Sequence, residues 1–134
     1  MSVQADIEAQ LVTMLEANIS ELDAEVGARS IPQIEGLGRF AAVRKLAGSG
    51  DRLEFAQTDW TEDYRLTVYW PVAVARADSI TEWEAFTDAL LGDADLGGAI
   101  TGLYDAFVSE TEWGESAEAH TRTMTATVTA KRVE

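Results

Sequence analysis

The sequence predicts an α+β fold, a mainly antiparallel sheet of four to five strands with two main helices packed on it. Three patterns carry that expectation. Apolar residues recur at three- and four-residue steps between Ile7 and Val26, apolar and polar positions alternate through Tyr64–Val74, and the run from Thr121 to Ala130 alternates without a break.

Taking the elements in order, Ile7, Leu11, Met14, Leu15, Ile19, Leu22 and Val26 share one helical face while Glu8, Glu16, Glu21, Asp23 and Glu25 occupy other positions, which predicts a first helix ending at Gly27. The late carboxylates oppose the helix dipole, so packing must stabilise it. Ala28–Gly38, with Pro32, Gly36 and Gly38, reads as a loop, and Arg39–Leu46 is apolar and extended. Gly48-Ser49-Gly50-Asp51 then reads as a tight connection to a strand at Arg52–Gln57, making a hairpin, and Thr58–Asp63 as a polar turn.

Tyr64–Val74 sets Tyr64, Leu66, Val68 and Trp70 against Arg65, Thr67, Tyr69 and Pro71, and Pro71, which cannot donate to a ladder, marks a strand edge or bulge. Ser79-Ile80-Thr81-Glu82 has the form of a capping box, followed by Ile80, Trp83, Phe86 and Leu90 on one face and closed by Gly92. After the turn Asp93–Gly98, Leu103–Glu112 reads as a strand and Trp113–Ala119 as a flexible connection. The last strand places Met124, Ala126, Val128 and Ala130 on one face and Thr121, Thr123, Thr125, Thr127 and Thr129 on the other, a core side and a wet or partner-facing side.

A chain of 134 residues fits one domain over 1–134 and buries about two thirds of the surface its unfolded form exposes. There is no cysteine, which excludes disulfides, thiolate metal sites and a cysteine nucleophile. Neither a basic segment leading into an apolar run nor a window of about 18 apolar residues is found, so no export signal and no membrane partner are expected. The net charge is -14, from 24 acidic and 10 basic residues. Such a surface repels phosphates and argues against sequence-specific nucleic-acid binding; both a salty host cytoplasm and simple solubility account for it. Residues 1–38 carry -6 and residues 59–118 carry -12, whereas 39–58 and 119–134 carry +2 each, so two modestly basic strands sit in an acidic chain.

Motifs for chemistry are few. Gly36-Leu37-Gly38-Arg39-Phe40-Ala41 matches a loose dinucleotide fingerprint, but a helix precedes it and a strand follows, the reverse of what that site needs. Gly48-Ser49-Gly50 lacks a phosphate-loop lysine, and His120 is the only histidine, too few for a two-histidine metal site. Asp93 and Asp95 begin like a calcium loop, yet the fifth position is Gly97 and the twelfth Tyr104. The pairs Glu82/Glu84 and Glu110/Glu112 could serve acid–base chemistry only if burial split their pKa values. No catalytic residue, cofactor or metal is therefore expected. Trp70 and Trp83 fall on apolar faces and read as core, whereas Trp60 and Trp113 fall in polar stretches and read as interface anchors. Together with Arg39, Arg44, Lys45, Arg122 and Lys131 of the basic strands, they form the candidate contact set.

The order of elements, with a strand ending in Val72-Ala73-Val74, the helix Thr81–Leu91, the turn Asp95-Leu96-Gly97-Gly98, a strand and a closing alternating strand, resembles the tail terminator proteins of long-tailed bacteriophages and related archaeal viruses. That resemblance implies a structural virion protein of the tail neck, assembled in the host cytoplasm, with no enzyme activity. It implies a homo-oligomer, a hexameric ring, that caps the tail tube protein, ends its growth and joins a head-side connector or stopper protein while DNA passes through. Only Leu96, Gly97 and Gly98 carry over, as a turn of the fold. Another neck or connector component would also be a ring subunit, and a small-ligand-binding α+β domain would instead be a monomer with a deep apolar pocket.

Overall fold

In the computed structural model, which describes residues 3–27, 38–52, 57–98, 100–116 and 121–134, the chain runs α1 (Val3–Asn18), β1 (Leu22–Val26), β2 (Arg39–Arg52), β3 (Thr58–Pro71), α2 (Arg76–Gly92), a 3₁₀ turn (Leu96–Gly98), β4 (Leu103–Ser116) and β5 (Thr121–Val133). The five strands form one sheet in the order β1-β2-β3-β5-β4, antiparallel except for the β1/β2 pair. The expected α+β architecture, with two helices on a mostly antiparallel sheet, is what forms.

Alternation sets the layers. Tyr64, Leu66, Val68 and Trp70 of β3 are fully buried, and so, within one percent, are Met124, Ala126, Val128 and Ala130 of β5. Against this face lie Ile7, Leu11, Leu15 and Ile19 from α1 and its end, and Trp83, Phe86 and Leu90 from α2. Each such side chain contributes about 1.5–3 kcal/mol on leaving water, which offsets the unfavourable charge placement along α1. The opposite face carries the threonines of β5 together with Thr67, Arg65 and Arg44, and among the described residues no helix covers it.

Several sequence expectations need correction. The first helix stops at Asn18, whose side-chain amide donates to Met14 O at 2.8 Å, and Glu21 turns the chain with φ 55°. Leu22–Val26 is then a strand parallel to Arg39–Val43: Leu22 and Val26, four apart, fit a helical face, but Leu22, Ala24 and Val26 also alternate as a strand does. Gly48–Asp51 is not a turn but the far half of β2, and Thr58–Asp63 is not a turn but the near half of β3, the two pairing from Ala47/Asp63 to Arg52/Thr58. The connection between them falls at residues 53–57, of which 53–56 lie outside the described residues. Trp113–Ser116 continues β4 instead of opening a flexible connection; the remainder of that stretch, with His120, lies outside the described residues, as does most of the loop at 28–38.

The capping box does not form. α2 begins at Arg76 behind Ala75, which makes no side-chain cap, and buried Ser79 donates instead to Ala75 O at 3.4 Å. Glu82 is engaged elsewhere, as described below. The turn after α2 behaves as its sequence suggests: Asp93 Oδ1 accepts from Gly97 N–H at 3.0 Å, and Gly97 and Gly98 take φ 85° and 73°.

Candidate interaction surface

The seven candidate contact residues do not form one patch. At one end of the sheet Arg39 opens β2 and donates from Nε and Nη2 to the two oxygens of Glu82, at 2.7 and 2.8 Å. Glu82 Oε1 also accepts from the indole N–H of Trp70 at 3.1 Å, so one carboxylate joins the first residue of β2, the end of β3 and the first turns of α2. Its hydrogen bonds, foremost, and its charge raise the Arg39 pKa further and hold the guanidinium charged.

Trp113 lies across β5 from this group, with its ring centre 5.5 Å from that of Trp70 and 37% of its surface in water. It is a half-covered strand residue and not a loop residue. Arg122 completes this end, paired with Glu115 at 3.1 Å and donating to Val74 O at 3.0 Å. Arg76, Ile80, Trp113, Glu115 and Arg122 line a groove of about 240 Å³ there.

The other end of the sheet is organised around Glu62, a carboxylate on the helix-covered face with 1% exposure. Lys45 Nζ lies 2.6 Å from it, Arg132 Nε donates to it, and Tyr64 Oη donates at 3.2 Å. Burial pushes the Glu62 carboxyl up, but the hydrogen bonds and charges of Lys45 and Arg132 outweigh that and leave it below its ordinary value. Burial first, then the neighbouring Glu62 charge, pushes the Tyr64 phenol far up, so it stays protonated and keeps donating. Lys45 also donates its backbone N–H to buried Glu8 of α1 at 3.3 Å.

Trp60, expected in a loop, belongs to this cluster. It stands in β3 opposite Gly50 on one side and Arg132 on the other, with the Arg132 guanidinium 5.5 Å above its ring. A Cβ on Gly50 would lie 3.1 Å from that ring, so the glycine serves close approach of an indole and not a turn. Lys131, on the opposite face, sits 5.9 Å from the Phe107 ring.

Thus Arg39, Lys45 and Arg122 are held inside the chain, Trp60 and Trp113 are half-covered strand residues, and Arg44 is exposed. Arg44 stands directly opposite Arg65, whose Nε is buried without a hydrogen-bond partner, and has no ion pair among the described residues. Sequence reasoning missed the roles of Glu62 and Arg132, and it took Glu82 for a cap. The signal for Glu62 was available: it is in phase with Tyr64, Leu66, Val68 and Trp70, an acid on the apolar side of an alternating strand.

Nothing here assembles a reaction centre from the expected pairs. Glu84 is exposed while Glu82 is committed to Arg39, and Glu110 and Glu112 are both exposed on the helix-free face. Among the described residues no group of three or more His, Cys, Asp and Glu is placed to hold a metal, and no helix is long and apolar enough to cross a membrane.

No protein-family model matches the sequence, and no curated protein matches it. Solved structures share the architecture, two of them from phage-like particles. One is a chain in the virion of a native gene transfer agent particle, with TM-score 0.58 and 19% identity over 98% of this chain and 90% of that one. The other is a chain in the structure of the sheath/tube terminator of an extracellular contractile injection system, PVC, in its extended state, with TM-score 0.62 and 13% identity. This chain has their fold. It is matched over 97% of its own length and spans 56% of the injection-system chain.

Proposed function

We propose that this chain is a structural subunit of a phage-like tail, which closes with copies of itself into a ring on the end of the tail tube and stops the tube from growing. The observation that carries this proposal is the one-sided sheet: helices cover one face, while among the described residues no helix covers the other, on which only a patch around Phe40 and Ala42 forms a buried apolar cluster, and two strand edges stay open. A lone domain leaves such edges liable to uncontrolled pairing, whereas a ring subunit uses them. The shared fold with a tube-terminator structure and with a virion chain supports the same reading.

In this reading the ring is a hexamer set in the neck of the virion, assembled in the host cytoplasm and offering its far side to a head-side connector. The partners are other copies, the tube protein and that connector, with no membrane and no cofactor. DNA passes through without sequence-specific contacts, which suits a subunit carrying -14, because phosphates meet few cations on it. The work is done by shape and charge, with no catalytic step.

Adding the chain to polymerising tail-tube subunits tests this. Tubes should stop lengthening at substoichiometric amounts of the chain; tube length that does not respond to it would refute the proposal.

A further inference from the structure

The ladder registers connect the two open edges of the sheet. Pairing with β1 ends at Val43 and Glu8 of α1 accepts from the Lys45 backbone N–H, so β2 has an open outer edge among the described residues from Leu46 to Arg52, with the Arg44 side chain exposed beside it, and β4 is the last strand on the other side. Following one rung across, Arg44 is opposite Arg65, Arg65 is opposite Thr127, and Thr127 is opposite Glu110. Arg44 and Glu110 therefore stand at the same height on opposite edges, both on the helix-free face. β2 and β4 also run in opposite directions, so an upright neighbouring copy would bring its β4 alongside β2 in antiparallel sense.

The next rungs repeat the match with apolar groups. Leu46 occupies the bulge between Lys45 and Ala47 and is 39% exposed. Its height corresponds to Val108 and Phe107 on β4, reached through Tyr64/Val128 and Asp63/Thr129. There, Leu91 at 79% exposure, Phe107 at 36% and Val108 border a groove of about 190 Å³ between the end of α2 and β4. Charge leans the same way: on the β2 edge Arg44 and Arg52 are exposed with one acid, Asp51, between them, while Asp88, Glu110 and Glu112 are exposed on the α2/β4 side.

Building on the ring reading above, we infer that the contact between copies is edge to edge: the β2 edge of one subunit, Leu46 to Arg52 with Arg44 beside it, seats on the α2/β4 edge of the next. Leu46 fills the groove beside Leu91 and Phe107, and Arg44 pairs with Glu110. The two surfaces differ, so the contact is head to tail and repeats identically around a closed ring. The charge pairing sets the height of one copy against the next and rejects slipped registers.

Charge reversal tests this in solution and on tubes. In a ring of Arg44→Glu copies every contact opposes two carboxylates, and in a ring of Glu110→Arg copies every contact opposes two guanidiniums; each variant should assemble roughly tenfold more weakly than wild type. Mixed one to one, the two variants can alternate so that each contact again holds opposite charges, and assembly should return. Since the chain lacks cysteine, Leu46→Cys combined with Phe107→Cys should give, on oxidation, a ladder of covalent oligomers. Both charge positions are exposed, and circular dichroism would verify that the variants fold. Wild type that assembles while both single variants assemble equally well, or a mixture that fails to recover, overturns the edge contact and leaves the ring intact. Wild type that never associates, alone or on tubes, overturns the ring reading itself.

Discussion

Arg39 and Glu82, 43 residues apart, form a two-pronged ion pair that fastens the start of β2 to the second turn of α2. Both side chains are mostly covered, at 18% and 15% exposure, so water screens the pair far less than it would a surface pair.

Glu82→Gln should therefore destabilise the fold by about 2 kcal/mol, since it leaves Arg39 without its counter-charge and weakens the bond from Trp70. For a domain of this size that lowers the melting temperature by about 6–10 °C. Differential scanning calorimetry checks it, and an unchanged melting temperature would show that the pair is a bystander.

Glu62 makes the larger contribution, because its carboxylate sits among Lys45, Arg132 and Tyr64 with almost no access to water. Glu62→Gln should cost about 3 kcal/mol, at the low end for breaking a buried pair because Lys45 keeps 26% of its side chain exposed. The pH dependence has a definite sign. The native carboxyl titrates below 4.5, its value in the unfolded chain, so its stabilisation is complete above that pH and is lost as the pH falls through the native value. The urea midpoint of wild type should thus fall more steeply from about pH 6 to about pH 3 than that of Glu62→Gln. Equal slopes would contradict the assignment.

Two glycines with positive φ separate backbone strain from collision. Gly97, φ 85°, has open space where a Cβ would go, so Gly97→Ala should cost only the left-handed conformation, about 1 kcal/mol. Gly102, φ 80°, accepts from Val133 N–H at 2.9 Å, and a Cβ there would collide with the Val133 backbone. Gly102→Ala should cost about 3 kcal/mol or more and loosen the end of β5. Chemical denaturation of the two variants side by side reads the difference.

Much of the layering was legible in the residues. The alternation of Tyr64 to Trp70 and of Met124 to Ala130 follows from a sheet with one buried face, and α2 follows from the spacing of Trp83, Phe86 and Leu90. What misled were local signals overridden by distant partners. Glu82 at a capping-box position is taken by Arg39 and Trp70. Gly48 and Gly50 have turn chemistry, yet they lie in β2 because β3 pairs with them and Trp60 covers Gly50. Leu22 and Val26 fit a helical period and Leu22, Ala24 and Val26 a strand period, and five residues are too few to decide. The Glu62 cluster assembles from β2, β3 and β5, so no window of sequence contains it. Arg44 was legible as a contact candidate from charge alone, but its height opposite Glu110 depends on strand order, which local pattern does not contain.

The proposed function requires that copies of this chain close into a ring. Imaging the purified protein by negative stain, with and without tail-tube subunits, tests that most directly. Annular particles with a central hole that also sit on tube ends are expected; dispersed 14.6 kDa monomers that leave tube ends bare would contradict the ring.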